Sequence, residues 1–143
     1  MTINVVISSF VKSEEANRVV QRPKPQIEGT AAASGGCLCG AVRFEIRGPL
    51  RQVTTCHCAM CRKSTTSVGA YTACAPEHLE TSSRKLKWFK SSPMASRGFC
   101  SVCGSQLFWA PSDSRHVSVS AGSLDDPSRL EWGEHIFVDG VRG

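Results

Sequence analysis

The 143-residue sequence has few aromatic residues and no long apolar run. Phe, Trp and Tyr make up 7% of the chain, so we expect one modest hydrophobic core. No stretch approaches the roughly 20 apolar residues that a transmembrane helix needs. The composition therefore predicts a small domain that does not interact with a membrane.

The sequence also lacks a concentrated block of charge. Its net charge is +5 and its pI of about 8.9 lies below the value of about 9 above which a nucleic-acid-binding surface is indicated. Lys and Arg are dispersed, and the densest cluster, SSRKLKWFK at residues 82–90, alternates with apolar residues as in a half-exposed strand. We therefore predict no DNA or RNA partner.

An export signal is missing from the first fifteen residues, MTINVVISSFVKSEE. The segment has no basic region before its apolar run, an Asn inside that run and no small-residue cleavage site directly after it. We therefore expect a cytoplasmic protein. In a reducing compartment, clustered cysteines more often bind metal than form disulfides.

What the sequence does have is eight cysteines, far more than a chain of this size ordinarily contains. Two close pairs resemble each other: Cys37 and Cys39 precede Gly40, and Cys100 and Cys103 precede Gly104, with an apolar strand pattern after each glycine. The glycines are predicted to adopt positive φ, which lets the chain turn tightly around an ion. Four thiolates from two such turns complete a closed, structural zinc site.

A second set, Cys56, Cys58 and Cys61, lies within the six residues CHCAMC. The spacing of Cys56 and Cys58 places both sulfurs on one face of an extended chain, and a following turn can bring Cys61 to the same face. Three protein ligands and one open position are typical of a catalytic zinc. The residues therefore predict two zinc ions with different roles.

Alternatives remain open at this level. Cys58 and Cys61 could join Cys100 and Cys103 as a zinc ribbon, which would leave Cys37, Cys39 and Cys56 as the three-ligand set. His57 would point to the opposite side of an extended strand from its neighbours, which favours a non-ligand role. Cys74 stands alone and is interpreted as a small buried apolar residue.

The remaining pattern predicts a mainly β fold with little helix. Alternating segments recur from Gly36 onward, separated by Gly, Pro, Ser and Asp: AVRFEI, LRQVTT, SVGAYTA, KLKWFK, QLFWA, HVSVSAG and HIFV. Short helical turns are expected at residues 76–80 and after Pro127. Residues 1–35 are predicted to be a flexible extension, because QRPKPQIEGTAAASGG at residues 21–36 is rich in Pro, Ala, Gly and Ser, and residues 36–143 are predicted to be a zinc-binding domain.

Five segments together resemble the glutathione-dependent formaldehyde-activating enzyme (GFA) family, also known as the family of centromere protein V. They are, in chain order, GGCLCGAVRFE, CHCAMCRKS, SSPMASRGFCSVCGSQLFW, VSAGSLDDP and HIFV. The resemblance covers about residues 35–139 and implies an Mss4-like small β fold of hairpins cross-linked by zinc.

The resemblance also implies the ligands. Cys37, Cys39, Cys100 and Cys103 match the family's structural zinc ligands, and Cys56, Cys58 and Cys61 match its catalytic ones. It implies a carbon–sulfur lyase, or S-(hydroxymethyl)glutathione synthase, that acts on a small-molecule thiol such as glutathione and an aldehyde such as formaldehyde.

Three positions depart from the family's pattern. The family usually has Gly where Thr65 and Thr66 stand, residues 1–35 are extra, and relatives often continue beyond HIFVDGVRG.

From these residues we hypothesise that a sulfur bound at the three-cysteine zinc stays deprotonated and adds to a small aldehyde, or that the reverse cleavage occurs. Three nearby cations fit an anionic thiol: Arg62, Lys63 and Arg97; the alternative is that they offset thiolate charge or face solvent. A function of a different class is a non-catalytic, zinc-stabilised binding module.

Overall fold

Two β-sheets and one helix make up residues 33–141, the part of the chain that the computed structural model describes. The elements are β1 (Ala33–Gly36), β2 (Arg43–Ile46), β3 (Val53–Cys56), α1 (Ala59–Thr65), β4 (Gly69–Cys74), β5 (Leu79–Glu80), β6 (Leu86–Ser92), β7 (Ala95–Cys100), β8 (Gln106–Pro111), β9 (Val117–Ser120) and β10 (Trp132–Ile136). The predicted mainly β fold with little helix is confirmed.

The larger sheet has seven strands in the order β10-β3-β4-β9-β8-β7-β6. All neighbours are antiparallel except β10 and β3, which run parallel and bring Ile136 beside Cys56. The hairpin of β7 and β8 turns at Cys100–Gln106, and β3 ends at Cys56. Both cysteine clusters therefore lie at strand ends, where turns present their side chains together.

The smaller sheet has the order β1-β2-β5 and is antiparallel throughout. Its hairpin is tied to the loop after β9, because Arg43 forms an ion pair with Asp125, which also accepts a hydrogen bond of 2.7 Å from Ser34. The hairpin turn at residues 37–42 carries the first cysteine pair.

The core lies between the two sheets and follows from the alternating pattern. In β2, Phe44 and Ile46 are buried while Arg43 and Glu45 are exposed, as a strand with one apolar face requires. The Phe44 ring meets the Phe108 ring of β8 edge to face, with centroids 5.2 Å apart. Burial of each such side chain stabilises the fold by roughly 1.5–3 kcal/mol.

Short 3-10 turns occupy Pro76–His78 and Pro127–Arg129, which confirms the two helical turns expected from the sequence. The α1 helix, in contrast, was expected to be only a turn. None of the helices in residues 33–141 is long and apolar enough to cross a membrane.

The predicted boundary of the extension, between residues 35 and 36, falls inside β1. Residues 33–35 pair with β2, so backbone hydrogen bonding places them in the sheet although their Ala-Ser-Gly composition has the character of a linker. Residues 1–32 lie outside the described residues, and the flexible extension stays a prediction for them.

Candidate metal centres and their surroundings

The first cluster joins the turn after β1 to the turn after β7. Its four sulfurs, from Cys37, Cys39, Cys100 and Cys103, all lie within 4.8 Å of one another. The Cys37 and Cys39 sulfurs are 3.6 Å apart, and those of Cys39 and Cys100 are 3.8 Å apart. Since Zn–S bonds of about 2.3 Å in a tetrahedron place sulfurs about 3.8 Å apart, these residues fit a closed zinc site.

Glycine shapes both turns of this four-cysteine cluster. Gly40 has φ of 79° and Gly104 has φ of 78°, which confirms the predicted positive φ. The amide of Gly40 donates to the carbonyl of Cys37, and that of Gly104 to the carbonyl of Cys100. A Cβ at either glycine would meet nothing within 4 Å, so backbone conformation and not space demands glycine there.

Backbone and hydroxyl donors surround the sulfurs of the four-cysteine cluster. The amide of Val42 donates to the Cys37 sulfur at 3.2 Å, and the amide of Val102 to the Cys100 sulfur at 3.4 Å. The Ser105 hydroxyl lies 3.2 Å from the Cys103 sulfur and, with the Ser105 backbone, lowers the pKa of that thiol to about 5. Such donors favour the thiolate form that binds metal.

The second cluster contains Cys56, Cys58 and Cys61, whose sulfurs also lie within 4.8 Å of one another. Cys56 ends β3, Cys58 is the N-cap of α1, and Cys61 lies in the first turn of that helix. The two groupings match those implied by the family resemblance, and the alternative zinc ribbon is not formed. Among residues 33–141, no fourth His, Cys, Asp or Glu joins the three sulfurs.

The helix terminus favours negative charge on Cys58. Its sulfur accepts a hydrogen bond of 3.4 Å from the amide of Cys61. The pKa of Cys58 is held well below its usual value by the Cys56 and Cys61 thiols and by the backbone amides of Cys61 and Met60. The pKa of Cys56 is raised by the Cys58 and Cys61 sulfurs. Neighbouring thiolates repel one another, and a divalent ion bound by all three sulfurs would offset that repulsion.

Close packing fixes the position of Cys61. Gly69 pairs with Cys56 across β3 and β4, and a Cβ on Gly69 would come within 2.4 Å of the Tyr71 ring and 3.2 Å of the Cys61 sulfur. Tyr71, Ile136 and Phe137 pack against the same cysteines. These three side chains give the three-cysteine site a largely apolar wall that carries the Tyr71 hydroxyl.

Two residues beside this site have a left-handed backbone without being glycine. Thr66 caps the C-terminus of α1 with φ of 68°, and Phe137 follows β10 with φ of 57°. A β-branched or bulky residue in this region is strained. The resemblance led us to expect glycine where Thr65 and Thr66 stand, and the left-handed backbone of Thr66 explains why glycine would suit the second of these positions.

Arg97 of β7 also contacts the three-cysteine site. Its side chain is only 6% exposed, with Nη2 3.8 Å from the Cys61 sulfur and Nη1 3.4 Å from the Tyr71 hydroxyl oxygen. Burial lowers the pKa of Arg97, but the Cys61 sulfur and Tyr71 outweigh this effect and leave the pKa above its usual value. The guanidinium is therefore a fixed positive charge at the sulfurs.

The other residues singled out from the sequence lie in different surroundings. Arg62 and Lys63 are exposed on α1, directly after Cys61. His57 Nε2 lies 2.8 Å from His135 Nδ1, outside the group of sulfurs. Cys74 is buried in the main core, where burial raises the pKa of its thiol to about 11, so it remains an uncharged apolar side chain. All eight cysteines are free of disulfides.

Comparison with known proteins agrees with this arrangement. The family model described as glutathione-dependent formaldehyde-activating enzyme matches residues 32–140. The chain belongs to this family. It is 27% identical over 106 residues to an uncharacterized lyase of Schizosaccharomyces pombe, covering 73% of this chain and 77% of that protein. The family match and this relative support a GFA-type lyase at the level of the family.

A crystal structure of a Rhodobacter sphaeroides protein has a similar fold. The TM-score is 0.59 at 20% sequence identity, and the match covers 71% of this chain and 98% of that one. At this identity the likeness concerns the fold alone.

Three features of the site were missed from the sequence: Tyr71, Gln106 and Gly69. Tyr71 accepts hydrogen bonds from both Arg97 and Gln106. Tyr71 is the single tyrosine of the chain, and Gly69 lies within the strand pattern SVGAYTA, but neither carries a signal of its own. Their places beside Cys61 follow from strand pairing.

Proposed function

We propose that this chain is a zinc-dependent carbon–sulfur lyase that forms or cleaves a thiol–aldehyde adduct such as S-(hydroxymethyl)glutathione. The observation that carries the proposal is the difference in ligand number between the clusters. The four-cysteine cluster has a complete tetrahedral donor set, and the three-cysteine cluster has one donor fewer among the described residues. We propose structural zinc for the first and catalytic zinc for the second.

The soft sulfur donors of both clusters suit zinc. A zinc ion held by Cys56, Cys58 and Cys61 would stabilise a substrate thiol as thiolate near neutral pH. In the synthetic direction, the sulfur lone pair forms a C–S bond to the aldehyde carbon. The C=O π electrons move to the oxygen, which takes up the proton that the thiol released. The lyase direction reverses these steps, so no oxidant or reductant is needed.

The chain's own residues are proposed to bind and shield the reactants. Tyr71, Ile136 and Phe137 pack around the sulfurs and exclude water from the reacting atoms. Arg62 and Lys63 are exposed beside Cys61, where their charges attract the carboxylates of a thiol such as glutathione. Arg97 is buried at the sulfur, so its contribution to binding is electrostatic.

The alternative from the sequence is a zinc-stabilised binding module without catalysis. The observation in its favour is the exposure of Leu38 and Val102, which project from the two turns of the four-cysteine cluster with 91% and 59% of their surface accessible. Such a module needs no site of three cysteines with an exchangeable fourth ligand.

The test is glutathione-dependent consumption of formaldehyde by the purified chain, with zinc content measured on the same preparation. The proposal expects turnover in the wild type, its loss in Cys58→Ser, and its retention in Cys74→Ala, which removes a thiol that belongs to neither cluster. If Cys58→Ser keeps wild-type turnover while folded, or if the wild type shows none with either glutathione or another small thiol, the enzymatic proposal fails and the binding module is favoured.

A further inference from the structure

Arg97 is a buried cation without a carboxylate partner. The four ion pairs of residues 33–141 join Arg43, Arg47 and Arg115 to acidic side chains, and Arg97 takes part in none of them. A buried charge is costly unless it is paired, so a compensating negative group is expected beside it. The group in contact is the Cys61 sulfur, at 3.8 Å from Nη2.

A second layer of residues holds the guanidinium in place. Arg97 Nη1 donates to the Tyr71 hydroxyl oxygen at 3.4 Å, and the Gln106 side-chain amide donates to the same oxygen. Tyr71 lies on β4, Arg97 on β7 and Gln106 at the start of β8, so three strands fix one contact. Residues that orient a metal ligand in this way tune the metal they never touch.

The four-cysteine cluster has no comparable contact. Its sulfurs accept from the amides of Val42 and Val102 and lie near the Ser105 hydroxyl, and no Arg or Lys side chain of the described residues donates to them. Cys39 of the four-cysteine cluster is exposed to water, although Cys37 and Cys100 are buried. In the three-cysteine cluster, Cys58 is half-buried and the other two cysteines are buried. Water therefore screens the charge of the four-cysteine cluster more than that of the three-cysteine cluster.

The contact between Arg97 and Cys61 balances the charge of the metal-loaded site. Three thiolates and one divalent ion carry a net charge of minus one, and the guanidinium cancels it. An anionic thiol in the fourth position would otherwise bring the buried site to minus two.

We propose that Arg97 is a positioning residue of the three-cysteine site, which offsets the charge of the metal-loaded sulfurs while Tyr71 and Gln106 hold its guanidinium against Cys61. The inference deepens the proposed function and rests on it for the identity of the fourth ligand. The effect of Arg97 on zinc binding can be measured independently of turnover.

The test is the zinc affinity of each site, measured by competition with a chromophoric chelator. Arg97→Gln is expected to weaken one of the two zinc sites by about ten- to a hundredfold and to leave the other unchanged. Arg97→Lys keeps the charge without the planar fork, so we expect its affinity to lie between those of Arg97→Gln and the wild type. Arg115→Gln, which removes an exposed cation from the turn between β8 and β9, is the matched control.

Two further readouts separate this role from a structural one. With Co²⁺ in place of zinc, Arg97→Gln is expected to change the sulfur-to-metal charge-transfer band of one site only. Tyr71→Phe keeps the ring and removes the hydroxyl, so a loss of affinity of a few-fold in the same site is expected. Should Arg97→Gln fail to fold, Tyr71→Phe and Arg97→Lys decide the matter.

The proposal is overturned if Arg97→Gln binds zinc with wild-type affinity at both sites. If Arg97→Gln does not fold, wild-type affinity at both sites in Tyr71→Phe overturns it instead. It is also overturned if Arg97→Lys binds zinc no more tightly than Arg97→Gln. If the chain has no lyase turnover but Arg97→Gln still weakens one zinc site, the proposed function fails and the role of Arg97 in metal retention stands.

Discussion

The two cysteine clusters of this protein both present sulfur donors, but the backbone around the sulfurs differs. The four-cysteine cluster turns its chain with Gly40 and Gly104 at positive φ, where glycine is unstrained. Beside the three-cysteine cluster, positive φ falls on Thr66 and Phe137, which are strained there. The four-cysteine cluster thus combines four donors with unstrained turns. The three-cysteine cluster has three donors among the described residues, strained neighbours and a buried cation, a combination that is typical of reactive sites.

The largest expected difference between the clusters concerns folding. Cys100→Ser removes a ligand of the closed cluster, and we expect the domain to unfold or melt far below the wild type. The reason is that the binding free energy of a structural zinc, roughly 10–16 kcal/mol, is folding free energy. Thermal melts followed by circular dichroism measure it, with Cys74→Ala as control. Equal melts for Cys100→Ser and wild type would falsify the structural role.

Cys56→Ser tests the same comparison at the three-cysteine cluster. We expect zinc content to fall from two ions per chain to one while the fold persists, because the removed ligand belongs to the cluster at the end of β3 and not to the turns that join the two sheets. Metal analysis and a melt on one sample suffice. A melt as low as that of Cys100→Ser would show that both ions are structural.

A smaller effect is expected at the glycines of the closed cluster. Gly40→Ala and Gly104→Ala should each destabilise the domain by about 1–2 kcal/mol, since a side chain at positive φ is strained even in open space. Chemical denaturation measures the loss. Gly122→Ala is the control, because a Cβ there also meets nothing within 4 Å but the backbone is not left-handed. Equal losses of stability in Gly40→Ala, Gly104→Ala and Gly122→Ala would show that positive φ is not the cause.

The smallest effect has the opposite sign and lies beside the three-cysteine cluster. Thr66→Gly should stabilise the domain by about 1 kcal/mol, since glycine relieves the left-handed C-cap of α1. Thr65→Gly, one residue earlier and inside the helix, should instead destabilise it by roughly 0.5–1 kcal/mol. The denaturation midpoints of Thr66→Gly and Thr65→Gly test this difference in sign. A lower free energy of unfolding for Thr66→Gly than for the wild type would contradict the strain at Thr66.

Much of the fold was predictable from alternation, and the failures have particular causes. The segments that became β2 and β9 have apolar residues at every second position, and the core between the sheets enforces that pattern. β7 was missed because ASRGFC has Gly, Ser and Arg at positions where a buried strand usually has apolar residues. Pairing with β6 and β8 on both sides makes it a strand regardless.

The α1 helix was missed for a different reason. Its N-cap is Cys58, whose sulfur accepts from the amide of Cys61, and cysteine is not among the residues that usually mark a helix start. Seven residues with Thr at the end have weak intrinsic helix propensity. Packing of Cys61 against β4, through Gly69, supplies the stability that the local sequence lacks.

The sequence by itself determined which residues can bind metal, because thiol spacing and the glycines that follow are local properties of the chain. It left open how seven sulfurs divide into two sets, since spacing permits more than one partition. Only the tertiary structure brought the turn after β1 to the turn after β7, and Arg97, Tyr71 and Gln106 to Cys61. Strand pairing decides those contacts, and the pairing of distant strands depends on the burial of a shared core rather than on any one segment.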